Sequence, residues 1–91
     1  DDAEHLAKGL RRLRESLRLI SFHHPGQHYK VDHKRDCIFI LAMTSDSGIQ
    51  RTAHTAKAKL SILRSAARME PSRFRTELEA WLQEQGFFER E

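Results

Sequence analysis

Residues 44–69 read TSDSGIQRTAHTAKAKLSILRSAARM, and the way this stretch folds decides the architecture of the chain. Ile49, Ala53, Ala56, Leu60, Leu63 and Ala67 recur at spacings of 4, 3, 4, 3 and 4. That is the period of one face of a helix. Ser45, Asp46 and Ser47 stand in front, and each can accept from the free amides of a first helical turn. The spacing predicts a second helix over about residues 48–69. The alanines on its stripe allow a neighbouring helix or sheet to come close.

The other side of this predicted helix carries the chemistry. From Gly48 to Met69 there are five basic residues, Arg51, Lys57, Lys59, Arg64 and Arg68, and no acid. A solvated helix usually mixes signs. At 100° per residue, Lys57, Arg64 and Arg68 fall on one flank, about 60–100° from the apolar stripe, with His54 and Ser61 just beyond. A second apolar patch, Ile62 and Met69 with Ala58 and Ala66, lies elsewhere on the same helix. Such a helix is sandwiched or oligomeric.

Within this stretch RTAHTAKAKL resembles the start of the last helix of double-stranded RNA-binding domains, which is basic and alanine-rich. Arg51, Ala53, His54, Ala56, Ala58, Lys59 and Leu60 fall at comparable places. The resemblance spans about ten residues and adds weight to RNA as a partner. Gln50 replaces a lysine of the pattern. Those domains have three strands between their helices, where this sequence reads as two, so the family is not assigned.

Upstream, Leu6, Leu10, Leu13, Leu17 and Ile20 repeat every 4, 3, 4 and 3 residues, which predicts a first helix over about residues 2–21. Asp1 or Asp2 suits its start, and Pro25-Gly26 stops it before His24. Arg11, Arg14 and Arg18 lie roughly 80–140° from the leucine stripe. If the first two helices run side by side, their basic flanks merge. Next, HYKV alternates and CIFILAM is β-branched and aromatic, so a hairpin is expected over about residues 28–43. With His33–Asp36 as its loop, Val31 faces Ile38 and Tyr29 faces Ile40, while Phe39 and Leu41 point to the other face. Lys34 and Arg35 then form a basic tip. Pro71 opens a third helix over about residues 71–85, with Phe74, Leu78, Trp81 and Leu82 on its apolar face. Gly86 suits its end, and Phe87 can supply the contact that accompanies such a cap. The expected fold is a single small α+β domain in the order α-β-β-α-α.

The totals bound the function. The chain has 91 residues and a net charge of +3. Residues 1–69 hold 13 Lys and Arg against 7 Asp and Glu, whereas residues 70–91 hold 3 against 6. A basic body carries an acidic end. Basic surfaces attract phosphate backbones or acidic proteins. No apolar run approaches the roughly 20 residues of a membrane helix. A single cysteine, Cys37, excludes an intrachain disulfide, and no secretory signal precedes it, so an intracellular setting is expected.

His24, His28, His33 and Cys37 offer ligand types that zinc accepts, but no tight pair such as C-x2-C, so no metal is expected. Asp32, Asp36, His28 and His33 are also natural turn residues, and no Gly-rich phosphate loop, HExxH or GxSxG motif is present. Neither catalysis nor a cofactor is expected. The expected function is binding of RNA or DNA through its backbone, by Arg11, Arg14, Arg18, Lys34, Arg35, Arg51, His54, Lys57, Arg64 and Arg68. The alternative is a regulator or adaptor that sets the basic face and apolar patches against a protein. A homodimer would cover the second patch and Phe87 and Phe88; so would the hairpin and last helix of the same chain.

Overall fold

The computed structural model describes residues 2–88. Asp1, read with Asp2 as a cap, lies outside the described residues. The elements are α1 (Asp2–His23), β1 (His28–His33), β2 (Cys37–Asp46), β3 (Ile49–Lys59), α2 (Ser61–Arg68) and α3 (Pro71–Glu84). The class is α+β, and the order is α-β-β-β-α-α. The three strands form an antiparallel sheet in the order β1-β2-β3. No helix among the described residues is long and apolar enough to cross a membrane.

The second helix is the main correction. Residues 49–59 are a strand, and only 61–68 are helical. Two local causes decide this. Ser47 and Gly48 both take positive φ, 54° and 81°. Two such residues make the tight turn whose twist suits a β-hairpin, not a helix start. Beyond it, Thr55-Ala56-Lys57-Ala58-Lys59 alternates with a period of two. Ala56 and Ala58 turn inward and are buried, while Thr55, Lys57 and Lys59 face solvent. Ile49, placed first on the helical stripe, is 58% exposed. The chain inserts Ala53 as a bulge, because Ala42 pairs with His54 and Met43 with Thr52.

The β1–β2 hairpin forms with a tighter loop than expected, residues 34–36, closed by Lys34 N–H donating to Cys37 O at 2.9 Å. Val31 therefore pairs with Ile40 and Tyr29 with Ala42, two residues from the expected register. A shift of two keeps every side chain on its face. β2 is the central strand. Its inward residues Ile38, Ile40 and Ala42 join Leu13, Leu17 and Ile20 of α1, Leu63 and Ala66 of α2, and Phe74, Leu78 and Leu82 of α3 in one core. The helices thus form one layer and the sheet the other.

α1 and α2 touch closely at Gly9, where any Cβ would overlap the Leu63 carbonyl. Arg12 Nη1 donates to Ala67 O at 3.0 Å and satisfies a carbonyl in the last turn of α2. The Glu70 carboxylate caps α3 by accepting from the backbone N–H of Ser72 and of Arg73, each at 3.1 Å. The Ser72 hydroxyl and these amides hold its pKa below the ordinary carboxylate range. At the other end Gly86 has φ +87°, Gly86 N–H donates to Gln83 O and Phe87 N–H to Leu82 O. This is a Schellman cap, and it delivers Phe87 into the core at 1% exposure. Phe88 stacks on His24 with ring centroids 3.7 Å apart. The Ile62 and Met69 patch is half-buried against the core.

Candidate nucleic-acid interface

On α1 the side chains divide by angle. Gly9 and Arg12 meet α2, whereas Arg14 and Arg18 stand on the far flank, some 120–180° away at 100° per residue. That flank faces β1, an edge strand. Between them lies a cleft of about 490 Å³ lined by Arg14, Leu17, Arg18 and Ser21 of α1 and by His28, Tyr29, Lys30 and Val31. Three of these residues are Arg or Lys, a fourth is His28, and none is acidic. Leu17 is buried, and Tyr29 and Val31 are half-buried; all three are packed in or against the core.

Tyr29 is held in place from below. Its hydroxyl donates to Gln27 Oε1 at 3.3 Å, and Gln27 Nε2 donates to Phe87 O at 3.0 Å. Burial, aided by the nearby Glu79 carboxylate, pushes its pKa above the ordinary value of 10.0, so it stays a neutral phenol at physiological pH. The Ser21 hydroxyl donates to Arg18 O at 2.7 Å and is committed to the helix end. What remains exposed in the cleft is Arg14, Arg18, His28 and Lys30, three fixed cations and an imidazole. Lys30 Nζ reaches over the open face of the sheet to Gln50 Oε1 at 3.3 Å. Lys30 thus stands at the β1 edge, between the cleft and that face. Guanidinium forks and an ammonium in this arrangement suit phosphate oxygens.

The other expected contact residues do not gather here. Arg11 is exposed on α1 but does not line the cleft. Lys34 Nζ is 3.2 Å from Asp32 Oδ2, so the hairpin tip spends one of its charges on its own strand; Arg35 beside it is exposed. Arg51 sits near the start of β3 opposite Thr44. His54 stacks on Phe87 with centroids 5.7 Å apart. Lys57 lies opposite Phe39 on the sheet face that points away from the helices. Arg64 and Arg68 are exposed on α2, which lines no part of the cleft. Lys57, Arg64 and Arg68 are thus not one helical flank, because the chain changes from strand to helix between them.

His28 and Lys30 were the residues missing from the expected site. Their signal was the alternation of HYKV, which sets both of them opposite to Tyr29 and Val31. The histidine cluster also comes apart. His24 stacks on Phe88, His28 lines the cleft, and Cys37 lies half-buried on β2. Among the described residues no three His, Cys, Asp or Glu side chains are grouped to hold a metal ion.

Two other hollows differ in character. One of about 650 Å³ includes Glu79, whose Oε2 is 3.9 Å from His24 Nε2, and is of mixed sign. Another, of about 360 Å³ between α2 and α3, is lined by Ile62, Met69, Phe74 and Trp81 among others. Comparison with family models, with curated proteins and with solved structures gives no match. The third strand agrees with the strand count of double-stranded RNA-binding domains, but RTAHTAKAKL is strand, not helix, so that resemblance carries no assignment.

Proposed function

We propose that this domain binds nucleic acid through its phosphate backbone, without catalysis, at the cleft between α1 and β1. One observation carries the reading: Arg14 and Arg18 of α1 and His28 and Lys30 of β1 all border one cleft that has no carboxylate in its lining. Like charges gathered at one place repel, and the arrangement is offset when an anion fills it. The concave shape and the two arginines one helical turn apart fit a polyanion better than a single small ion. Arg35 at the hairpin tip and Arg11 extend the positive surface. The cations of the cleft suit phosphate oxygens first, so contact with the backbone dominates in this reading. RNA and DNA are both candidates, and an intracellular setting goes with either.

The test is a titration against short RNA and DNA duplexes at several salt concentrations. The logarithm of affinity should fall linearly with that of salt, by about 0.9 per phosphate contacted. Arg14→Gln with Arg18→Gln should weaken binding to all sequences alike and reduce the slope by about 2. Absence of binding at low salt sinks the reading. A second reading, an adaptor for a protein partner, is favoured by the groove of Ile62, Met69 and Trp81. Under it, Trp81→Ala abolishes capture of the partner and Arg14→Gln does not.

A further inference from the structure

The sheet has a face that the helices do not cover. Ile38, Ile40, Ala42, Ala56 and Ala58 are buried toward the helices, so Cys37, Phe39 and Leu41 of β2 point the other way. None of these three belongs to the core or to the partly buried side chains packed on it, and all three are half-buried. The strand register sets their neighbours in rows. Phe39 lies between Asp32 and Lys57, Leu41 between Lys30 and Thr55, and Cys37 pairs with Lys59. The Lys30–Gln50 bond, which spans β2, runs along this same face.

The rows place a phenyl ring and an isobutyl group in the middle and lysines at the sides. Lys30 stands on one side of the stripe and Lys57 and Lys59 on the other. Asp32 is the one carboxylate in these rows, and Lys34 pairs with it at 3.2 Å. Directly opposed residues of neighbouring strands have Cβ atoms only about 4.5–5.5 Å apart. A base lying on Phe39 thus has its phosphate within reach of Lys57. A duplex keeps its base faces stacked inside and offers none to a ring. A single strand offers both base faces and phosphates. A second copy of the chain is a poor occupant, since two such faces would oppose lysine to lysine.

We infer that the open face of the sheet is a platform for single-stranded nucleic acid, with a base stacked on Phe39 and phosphates held by Lys57, Lys59 and Lys30. The inference rests on the nucleic-acid reading of the cleft and adds a second surface that continues from it through Lys30. The cleft follows a backbone of any kind, whereas the sheet face selects unpaired strands.

The experiment compares a labelled, unstructured oligo-dT or oligo-U, of a length within the roughly 4–16 nucleotides typical of such sites, with a duplex. Phe39→Leu keeps apolar cover over β2 and removes the ring. It should weaken single-strand binding about 5- to 150-fold, the range of base–aromatic stacking, and leave duplex binding unchanged. Unchanged single-strand affinity overturns the inference, as does equal loss on the duplex with the fold intact. Should Phe39→Leu fail to fold, Lys57→Gln with Lys59→Gln decides, because both side chains are exposed: a loss on single strands alone supports the platform, and no loss overturns it. If the wild type binds duplex but no single strand, the platform fails and the cleft stands. If it binds neither, both fail. A dimer that Phe39→Leu dissolves would show a second copy on this face and overturn the inference.

Discussion

Gly9 shows how much a single position can hide. By sequence it is a weak spot in a leucine-striped helix, since glycine there costs about 1 kcal/mol relative to alanine. In the fold it is where the backbone of α2 lies against α1, and a methyl group would overlap the Leu63 carbonyl. Gly9→Ala therefore loses more through forced separation than it gains in helix propensity. The expected outcome is a loss of about 1–3 kcal/mol in urea unfolding followed by Trp81 fluorescence. A gain in stability would mean that α1 and α2 do not meet there. Nothing in the sequence could reveal this contact, because it depends on which helix arrives opposite. Lys30 and His28 are the reverse case. Their outward direction was present in the alternation of HYKV. Their company was not, because Arg14 and Arg18 come from an element ten or more residues away and meet them only once α1 lies along β1.

Among the elements, those with a strong and unmixed period were legible. α1 follows five large aliphatic residues, and α3 follows Phe74, Leu78, Trp81 and Leu82, with Pro71 and Gly86 marking its ends. β3 was not legible because its inward residues are alanines. Alanine suits a helix stripe and a strand face equally, so a chance 4-3-4 spacing outweighed the shorter alternation of Ala56-Lys57-Ala58-Lys59. The turn before it settles the matter physically. Gly48 at φ +81° would strain any L-residue, at a cost of roughly 1–2 kcal/mol. Gly48→Ala should then lower the melting temperature, as measured by far-ultraviolet circular dichroism. If residues 48–69 were one helix, the same change would remove a poor helix former and raise it. The sign alone separates the two folds. With β3 extended, Lys57 goes to the open sheet face, Arg64 and Arg68 stay on a short helix, and the basic helical face divides.

For the whole molecule, the charge asymmetry visible in the sequence becomes spatial. The acidic C-terminal part includes α3, which lines no part of the α1–β1 cleft, and Arg73 Nε lies 3.9 Å from Glu77 Oε2 within α3 itself. The cleft and the open sheet face are joined by Lys30, so one strand could run across both. The apolar groove with Ile62, Met69 and Trp81 belongs to the other reading and lies between α2 and α3. Location therefore separates the accounts better than affinity does. The direct measurement is a backbone amide shift map of the isotope-labelled protein during titration with an oligonucleotide. Binding at the cleft gives concentration-dependent shifts at Arg14, Arg18, Ser21 and residues 28–31, and none around Ile62, Met69 and Trp81. Shifts confined to the α2–α3 groove, or no shifts at low salt, would contradict it.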